Sequence, residues 1–220
     1  MNYDVIVVGA GSAGCVLASR LSEDPKRSVL LLEAGRDYPD LEKLPPELMY
    51  ATNPGGSILG SAYNWGTMGK ANARQSKPLH APRGKVIGGS SSINGPIFRR
   101  GVPEDYDTWA AKGNSEWTFA KVLPYFKKLE RDIDFQDGHH GTNGPMPVHR
   151  DNPRPWAPYQ TALQQAARDM GIPEDPDMNS PASTGIASFP VNTPDGRRMS
   201  TARAYLAQAR LRPNLRDLYT

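Results

Sequence analysis

Apolar positions along the chain follow two periods. Val5-Ile6-Val7-Val8 and Val29-Leu30-Leu31-Leu32 are short unbroken apolar runs, the pattern of strands buried on both faces of a parallel sheet. Between them Cys15 to Leu21 continues as a helix, so the chain opens as strand, helix, strand. A helical period returns from Trp117 to Glu130, where Phe119, Val122, Leu123, Phe126 and Leu129 share one face and Lys121, Lys127 and Lys128 the other, with Pro124 as a possible kink. Pro103 to Asn114 reads as a helix started by Pro103 and stopped at Gly113, and Pro158 to Met170 as one stopped at Gly171. A short strand is expected at Met146-Pro147-Val148, a basic, alanine-rich helix from Thr201 to Arg210, and a new strand in Asn214 to Thr220. The stretches 35–82 and 173–185 are broken by proline and glycine and read as loops. The fold class implied is α/β.

The turn after the first strand is Gly9-Ala10-Gly11-Ser12-Ala13-Gly14, a Gly-x-Gly-x-x-Gly spacing. Gly9 permits the tight turn, Gly11 lets a pyrophosphate approach the backbone, and Gly14 lets the helix lie close on the strand. The phosphates would meet free N–H groups at the helix N-terminus, where the dipole favours negative charge. Glu33 ends the second strand 22 residues beyond Gly11, where a carboxylate accepts hydrogen bonds from a ribose 2′-OH. That makes an ADP-ribose site, and a carboxylate there disfavours a 2′-phosphorylated cofactor. The motif does not by itself separate FAD from NAD.

Pro82 to Gly101 is dense in glycine and serine, with Gly88-Gly89-Ser90-Ser91-Ser92 at its centre, and almost no residue in it reads as core. It suits phosphate oxygens or a polar heterocycle, or else it is a surface loop. The triple serine lacks a Gly-x-Ser-x-Gly elbow and an activating His or Asp, so it does not read as a nucleophile. Trp65, in the long irregular stretch, either packs near the ligand or pins its loop to the core.

Composition changes little. With 26 basic and 23 acidic residues spread evenly, the charge of +3 does not suggest nucleic acid. The apolar runs are too short to span a bilayer, and no signal peptide fits ahead of the first strand, so the expected location is cytoplasmic. The single Cys15 allows no internal disulfide and reads as a small apolar filler. The adjacent His139 and His140 lack the further ligands a metal site needs.

With the second glycine passage in view, the chain resembles the glucose-methanol-choline (GMC) family of FAD-dependent oxidoreductases, most like the bacterial alcohol and choline dehydrogenase branch. The match runs through Gly84-Lys85, Ile87, Gly88-Gly89, Ser90-Ser91, Ile93-Asn94, Phe98, Gly101 and Asp107. Flanking agreement comes from Glu33-Ala34-Gly35, Trp109, Val122 to Phe126, His140-Gly141 with Gly144-Pro145, Ser200 to Leu206, and Arg212 to Leu215. The resemblance implies a Rossmann-like FAD-binding domain with the start of an α+β substrate-binding domain, divided as residues 1–115, 116–185 and a return segment 186–220. It implies Gly9, Gly11, Ser12, Ala13 and Gly14 at the pyrophosphate and Glu33 with Ala34 at the adenosine ribose. Val86, Gly89 and Ser90 would line the cofactor's middle, and Asn94, Gly95, Pro96 and Ile97 the isoalloxazine ring. Ile93 stands where some members carry a histidine bonded to flavin, so FAD is expected to be non-covalent.

Family members are more than twice as long, and their catalytic His with a second His or Asn lies near the far C-terminus. His80, His139, His140 and His149 do not take that role on sequence grounds. The expectation is therefore the N-terminal half of an FAD-dependent oxidoreductase that turns an alcohol into an aldehyde or ketone, with no catalytic residue of its own and a C-terminal polypeptide completing the fold. The rivals are a flavin lyase or photodecarboxylase on the same fold, and a non-catalytic FAD-binding fragment whose sheet would expose an apolar edge.

Overall fold

The structure is a computed structural model and describes residues 2–150 and 156–219. In chain order its elements are β1 (Val5–Val8), α1 (Ser12–Leu21), β2 (Val29–Leu32), α2 (Pro46–Met49), β3 (Met68–Gly69), β4 (Leu79–His80), α3 (Pro103–Ala111), α4 (Phe119–Leu129), β5 (Glu130–Asp132), β6 (Met146–Val148), α5 (Pro158–Asp169), α6 (Ala207–Ala209) and β7 (Leu215–Leu218). They form two compact units, one of Met1–Pro96 with Gly196–Thr220 and one of Ile97–Asp195. The seams fall at 96/97 and 195/196 rather than at 115/116 and 185/186. The first seam lies ahead of α3 because Tyr106 of α3 packs its ring against Phe119 and Phe126 of α4, with centroids 6.2 and 5.6 Å apart.

In the first unit β1, β2 and β7 form a parallel sheet in the order β1-β2-β7, with Val5 opposite Val29 and Val29 opposite Leu215. One face is the core: Val7, Val29, Leu31 and Leu215 pack with Cys15 and Ala18 of α1 and with Ala202, Leu206 and Ala209. Small residues at these helix positions let the backbones approach the sheet, and each fully buried Leu or Val contributes roughly 1.5–3 kcal/mol. Cys15 is buried, donates to Ala10 O at 3.1 Å, and its thiol is pushed up to about 11 by burial, as an inert filler should be.

Three local expectations are corrected. β1 is not buried on both faces: Ile6 is 56% and Val8 82% exposed, because no described residue covers the face they occupy on this outer strand. The expected α-helix at 201–210 opens as a π turn, Ala202–Leu206, before α6. Thr201, at its start, is tied from its N–H to Ser91 Oγ at 3.0 Å. The glycine-serine passage does contain core: Val86 and Ile93 are buried with Leu48, and Ile87 joins the main core.

In the second unit β5 and β6 run parallel, Glu130 opposite Met146 and Asp132 opposite Val148. β5 was not visible in the apolar pattern because its inward residues are acids: Glu130 and Asp132 are buried while Arg131 between them is exposed. The α4 stripe of Phe119, Val122, Leu123, Phe126 and Leu129 is half-buried as the period suggested, and Pro124 sits inside the helix. Among the described residues no helix is long and apolar enough to cross a membrane.

Candidate functional site

The C-terminal ends of all three parallel strands, Val8, Leu32 and Leu218, open onto one cavity of about 780 Å³. This is where an open α/β sheet binds its ligand, because the strand ends and the loops after them leave backbone groups unpaired there. The cavity floor is the first glycine turn. Gly11 caps α1 with no side-chain hydrogen bond, and the first turn carries no acid, so its N–H groups and the positive end of the dipole face outward. A Cβ on Gly11 would meet nothing within 4 Å, whereas one on Gly14 would collide with Gly9 O. The two glycines thus differ: Gly14 closes the helix onto the strand, and Gly11 keeps the space above it open.

Glu33 lies at the rim with both carboxylate oxygens in use. Ala10 N–H donates to Oε2 at 2.7 Å and Gly35 N–H to Oε1 at 2.8 Å. The side chain therefore ties the glycine turn to the end of β2, and each oxygen keeps a lone pair for a hydroxyl. The rim therefore offers acceptor lone pairs held in place by backbone N–H groups.

The second glycine passage closes the other wall. Gly88 N–H donates to Ala10 O at 2.7 Å, and a Cβ on Gly89 would stand 2.6 Å from Gly11 Cα. Gly89 has φ +54, so both its conformation and its contact require glycine. Of the three serines only Ser90 faces the cavity, its Oγ accepting from Gly84 N–H at 3.1 Å and leaving its own O–H to donate. Ser91 donates to Gly88 O at 2.6 Å and Ser92 to Ile87 O at 2.9 Å, so these two hydroxyls build the turn rather than a ligand surface. Trp65 is half-exposed on the cavity wall with Lys85 Nζ 4.7 Å from its ring centroid.

Of the residues expected at the site, Gly9, Gly11, Ser12, Glu33, Ala34, Trp65, Gly89 and Ser90 line the cavity. Ala13, Gly14, Val86, Asn94, Gly95 and Pro96 do not, and Ile97 belongs to the second unit, paired with Val191. Val86 was expected to line the cofactor's middle; its side chain is instead 2% exposed in the core with Leu48 and Ile93. Its apolar character, adjacent to Ile87, was a core signal in its own right. Arg83, Gly84, Val8, Leu32, Leu218 and Tyr219 line the cavity and were not singled out. The strand-end rule would have found Val8 and Leu32. Arg83 supplies a positive charge to this wall.

A second constellation lies within the other unit and was missed entirely. Arg100, Glu130, Asp132, His140, Arg150 and Asp177 are all at most 7% exposed at their side chains. His140 Nδ1 lies 3.0 Å from Asp132 Oδ2 and 3.2 Å from Glu130 Oε1, and its Nε2 lies 2.9 Å from Asp177 Oδ2. Burial alone would lower its pKa, but Asp132, Asp177 and Glu130 outweigh burial and raise it to about 11. Burial likewise opposes ionisation of Asp177, yet His140 and Arg150 pull it down to about 2, and Asp132 is lowered further still. Arg150 Nη1 meets Asp132 at 2.7 Å and its Nη2 meets Asp177 at 2.6 Å, while Arg100 pairs with Glu130. With His140 protonated, three cations face three carboxylates.

Glu130, Asp132 and His140 have the residue types of a metal site. Their arrangement opposes one: both ring nitrogens of His140 face carboxylates, so both donate and neither has a lone pair for a metal. The further ligands that the sequence did not reveal beside His140 are present, but arginines occupy them.

A sequence model of the GMC oxidoreductase family matches residues 3–219. The chain is 41% identical over 217 residues to an oxygen-dependent choline dehydrogenase of Vibrio vulnificus, covering 98% of this chain and 38% of that protein. It is 38% identical over 221 residues to a 5-(hydroxymethyl)furfural oxidase of a Methylovorus species, covering 97% of this chain and 41% of that one. Among solved structures, a pyridoxine 4-oxidase from Mesorbium loti superposes with a TM-score of 0.89 at 34% identity, covering 99% of this chain and 42% of that one. The chain spans about two fifths of the length of these relatives.

Proposed function

The chain belongs to the GMC oxidoreductase family, and from that premise we propose that it forms the FAD-binding portion of an enzyme that oxidises an alcohol to an aldehyde or ketone. The observation that carries this reading is the seating of one glycine passage on the other at the C-terminal ends of three parallel strands, with Glu33 at the rim. Bound FAD would supply the hydride acceptor for the alcohol carbon. Glu33 would accept the ribose hydroxyls on the lone pairs its two backbone bonds leave free, with Ala34 beside it. The N–H groups of the Gly11 to Gly14 turn would hold the pyrophosphate, with Arg83 contributing charge across the cavity. Ser90 would donate to the cofactor's middle, and Asn94 to Pro96 would lie toward the ring. Gly89, by lying on Gly11, sets the width between the two walls.

Non-covalent attachment is supported by Ile93, which is buried and has no nucleophilic atom. The base that takes the alcohol proton is assigned to the part of the relatives' length that this sequence does not span. Among the described residues, Glu33 is the one carboxylate that lines the cavity, each of its oxygens accepts a backbone N–H, and no histidine lines the wall.

The test uses the complete polypeptide carrying this sequence. Its visible spectrum should be that of a flavin, acid precipitation should release the flavin into the supernatant, and alcohols should bleach the absorbance without oxygen. A bound flavin that no alcohol bleaches would sink the dehydrogenase reading in favour of lyase or light-driven chemistry, and a protein without flavin would sink the whole reading.

A further inference from the structure

The three strand ends that open onto the cavity lie in a row, β1-β2-β7, with neighbours about 4.8 Å apart. Each end carries a different chemistry. Past β1 the Gly11 turn presents N–H groups with no side chain above them. Past β2 Glu33 presents acceptor lone pairs, and at the end of β7 stand Leu218 and Tyr219. Leu32 is opposite Leu218, so the next pair in register is Glu33 and Tyr219. The Glu33 N–H donates to Leu218 O at 2.8 Å and holds the two chains together at that point. All of these residues belong to the first unit.

Phosphate, ribose and base follow one another in a nucleotide as the three ends do in the sheet. With phosphates at the first end and ribose at the second, an extended ligand sets its base against the third. The end of β7 suits a flat apolar face. Leu218 and Tyr219 are both about half-exposed, neither is charged, and among the described residues no ring or cation lies against Tyr219. Trp65, the other aromatic residue lining the cavity, differs on each count. Its ring is engaged by Lys85, and its N–H donates to Arg83 O at 3.0 Å on the wall of Gly84, Gly89 and Ser90. That wall is seated on Gly11 through Gly89, so Trp65 belongs to the phosphate end.

We propose that Tyr219 is a positioning residue whose ring is the platform on which the adenine of the cofactor stacks, over the end of β7. The inference rests on the FAD reading above. Every base has a π-face, so a ring holds it without a hydrogen bond to its edge, and losing the ring weakens binding about tenfold. A phenol suits a half-exposed platform, because its face is apolar while its O–H stays in water. Base and flavin ring are the two ends of the cofactor, so the effect is confined to ligands that carry adenine.

The experiment strips the complete flavoprotein of its cofactor and titrates it with FAD, with FMN, which lacks the adenine, and with ADP, which lacks the flavin. Wild type, Tyr219→Phe and Tyr219→Leu are compared, beside the melting temperature of each stripped protein. Tyr219→Leu should bind FAD and ADP about tenfold more weakly, with FMN affinity and melting temperature unchanged. Tyr219→Phe keeps the ring and should bind all three as wild type does. ADP bound by Tyr219→Leu as tightly as by wild type would overturn the platform, and so would a Phe variant as weak as Leu, which would assign the contact to the hydroxyl. An equal loss for FMN, or a lower melting temperature of the stripped Leu variant, would give Tyr219 a general structural role and overturn it too. A wild type that binds ADP but neither flavin would fail the FAD reading, while the ADP titrations still decide the role of Tyr219.

Discussion

The cavity of the first unit and the charge cluster of the second solve the problem of buried polarity in opposite ways. Around the cavity the polar groups are backbone: N–H groups at the start of α1, Ala10 and Gly35 N–H on Glu33, Gly84 N–H on Ser90. Their positions follow from chain path, and glycine is needed because any Cβ would obstruct the path or the ligand. In the cluster the polar groups are charged side chains from five separate stretches, and their mutual neutralisation holds them in place. A backbone site tolerates change in what surrounds it but not in its glycines; a charge cluster fails if one member is removed. Anything that breaks one without the other tests the contrast.

The largest effect is expected in the cluster. Glu130→Ala strands Arg100 in the interior and should cost the second unit about 3–5 kcal/mol. Denaturation followed through Trp109 and Trp117, both in that unit, reads the loss. A change below 1 kcal/mol would mean the ion pair is not structural. The cluster should also respond to pH on both sides. His140, raised from 6.5 to about 11, contributes stability that is whole below 6.5 and drains away as pH climbs toward 11. Asp177, lowered from 3.8 to about 2, contributes stability that is whole above 3.8 and is lost as pH falls through 2. Stability of this unit should therefore peak between pH 4 and 6.5, and His140→Gln should flatten the alkaline arm. A maximum near pH 9 would contradict a protonated His140.

Within the cavity two glycine substitutions should part company. Gly89→Ala sets a Cβ 2.6 Å from Gly11 Cα at φ +54 and should cost about 1–3 kcal/mol of folding stability. Gly11→Ala meets nothing in the chain, so its melting temperature should hold while FAD affinity drops about tenfold, near 1.4 kcal/mol. Equal behaviour of the two in titration and melting would erase the distinction between wall and floor. The smallest effect belongs to Trp65→Ala, which removes a half-exposed ring and its Lys85 contact, worth about 0.5–1 kcal/mol. Flavin titration should show a few-fold weaker binding at unchanged stability.

The cavity was largely legible in the sequence and the cluster was not. Gly9 to Gly14, Glu33 and the passage around Gly89 leave marks at short spacing, because a tight turn and a close approach each demand glycine at a particular residue. Side-chain direction is not legible even there: Val86 turns inward to Leu48 and Ile93, and Ser91 and Ser92 donate within their own loop. His140 looks like any turn histidine, since its partners stand 8, 10 and 37 residues away. Glu130 and Asp132 hid a strand, because period-2 burial of acids mimics exposure.

Local covenants between neighbours in sequence were thus determined by the sequence itself: the parallel strands, the first helix, the glycine turn and the acid that follows β2. Burial and charge were decided only by tertiary structure. Ile6 and Val8 are as apolar as Leu31, yet what covers a strand face is set by distant chain. Arg198 looks like a surface cation until the fold places Leu48 and Asn94 around it. Backbone geometry is written residue by residue, whereas the solvation of a side chain depends on what the rest of the fold brings to it.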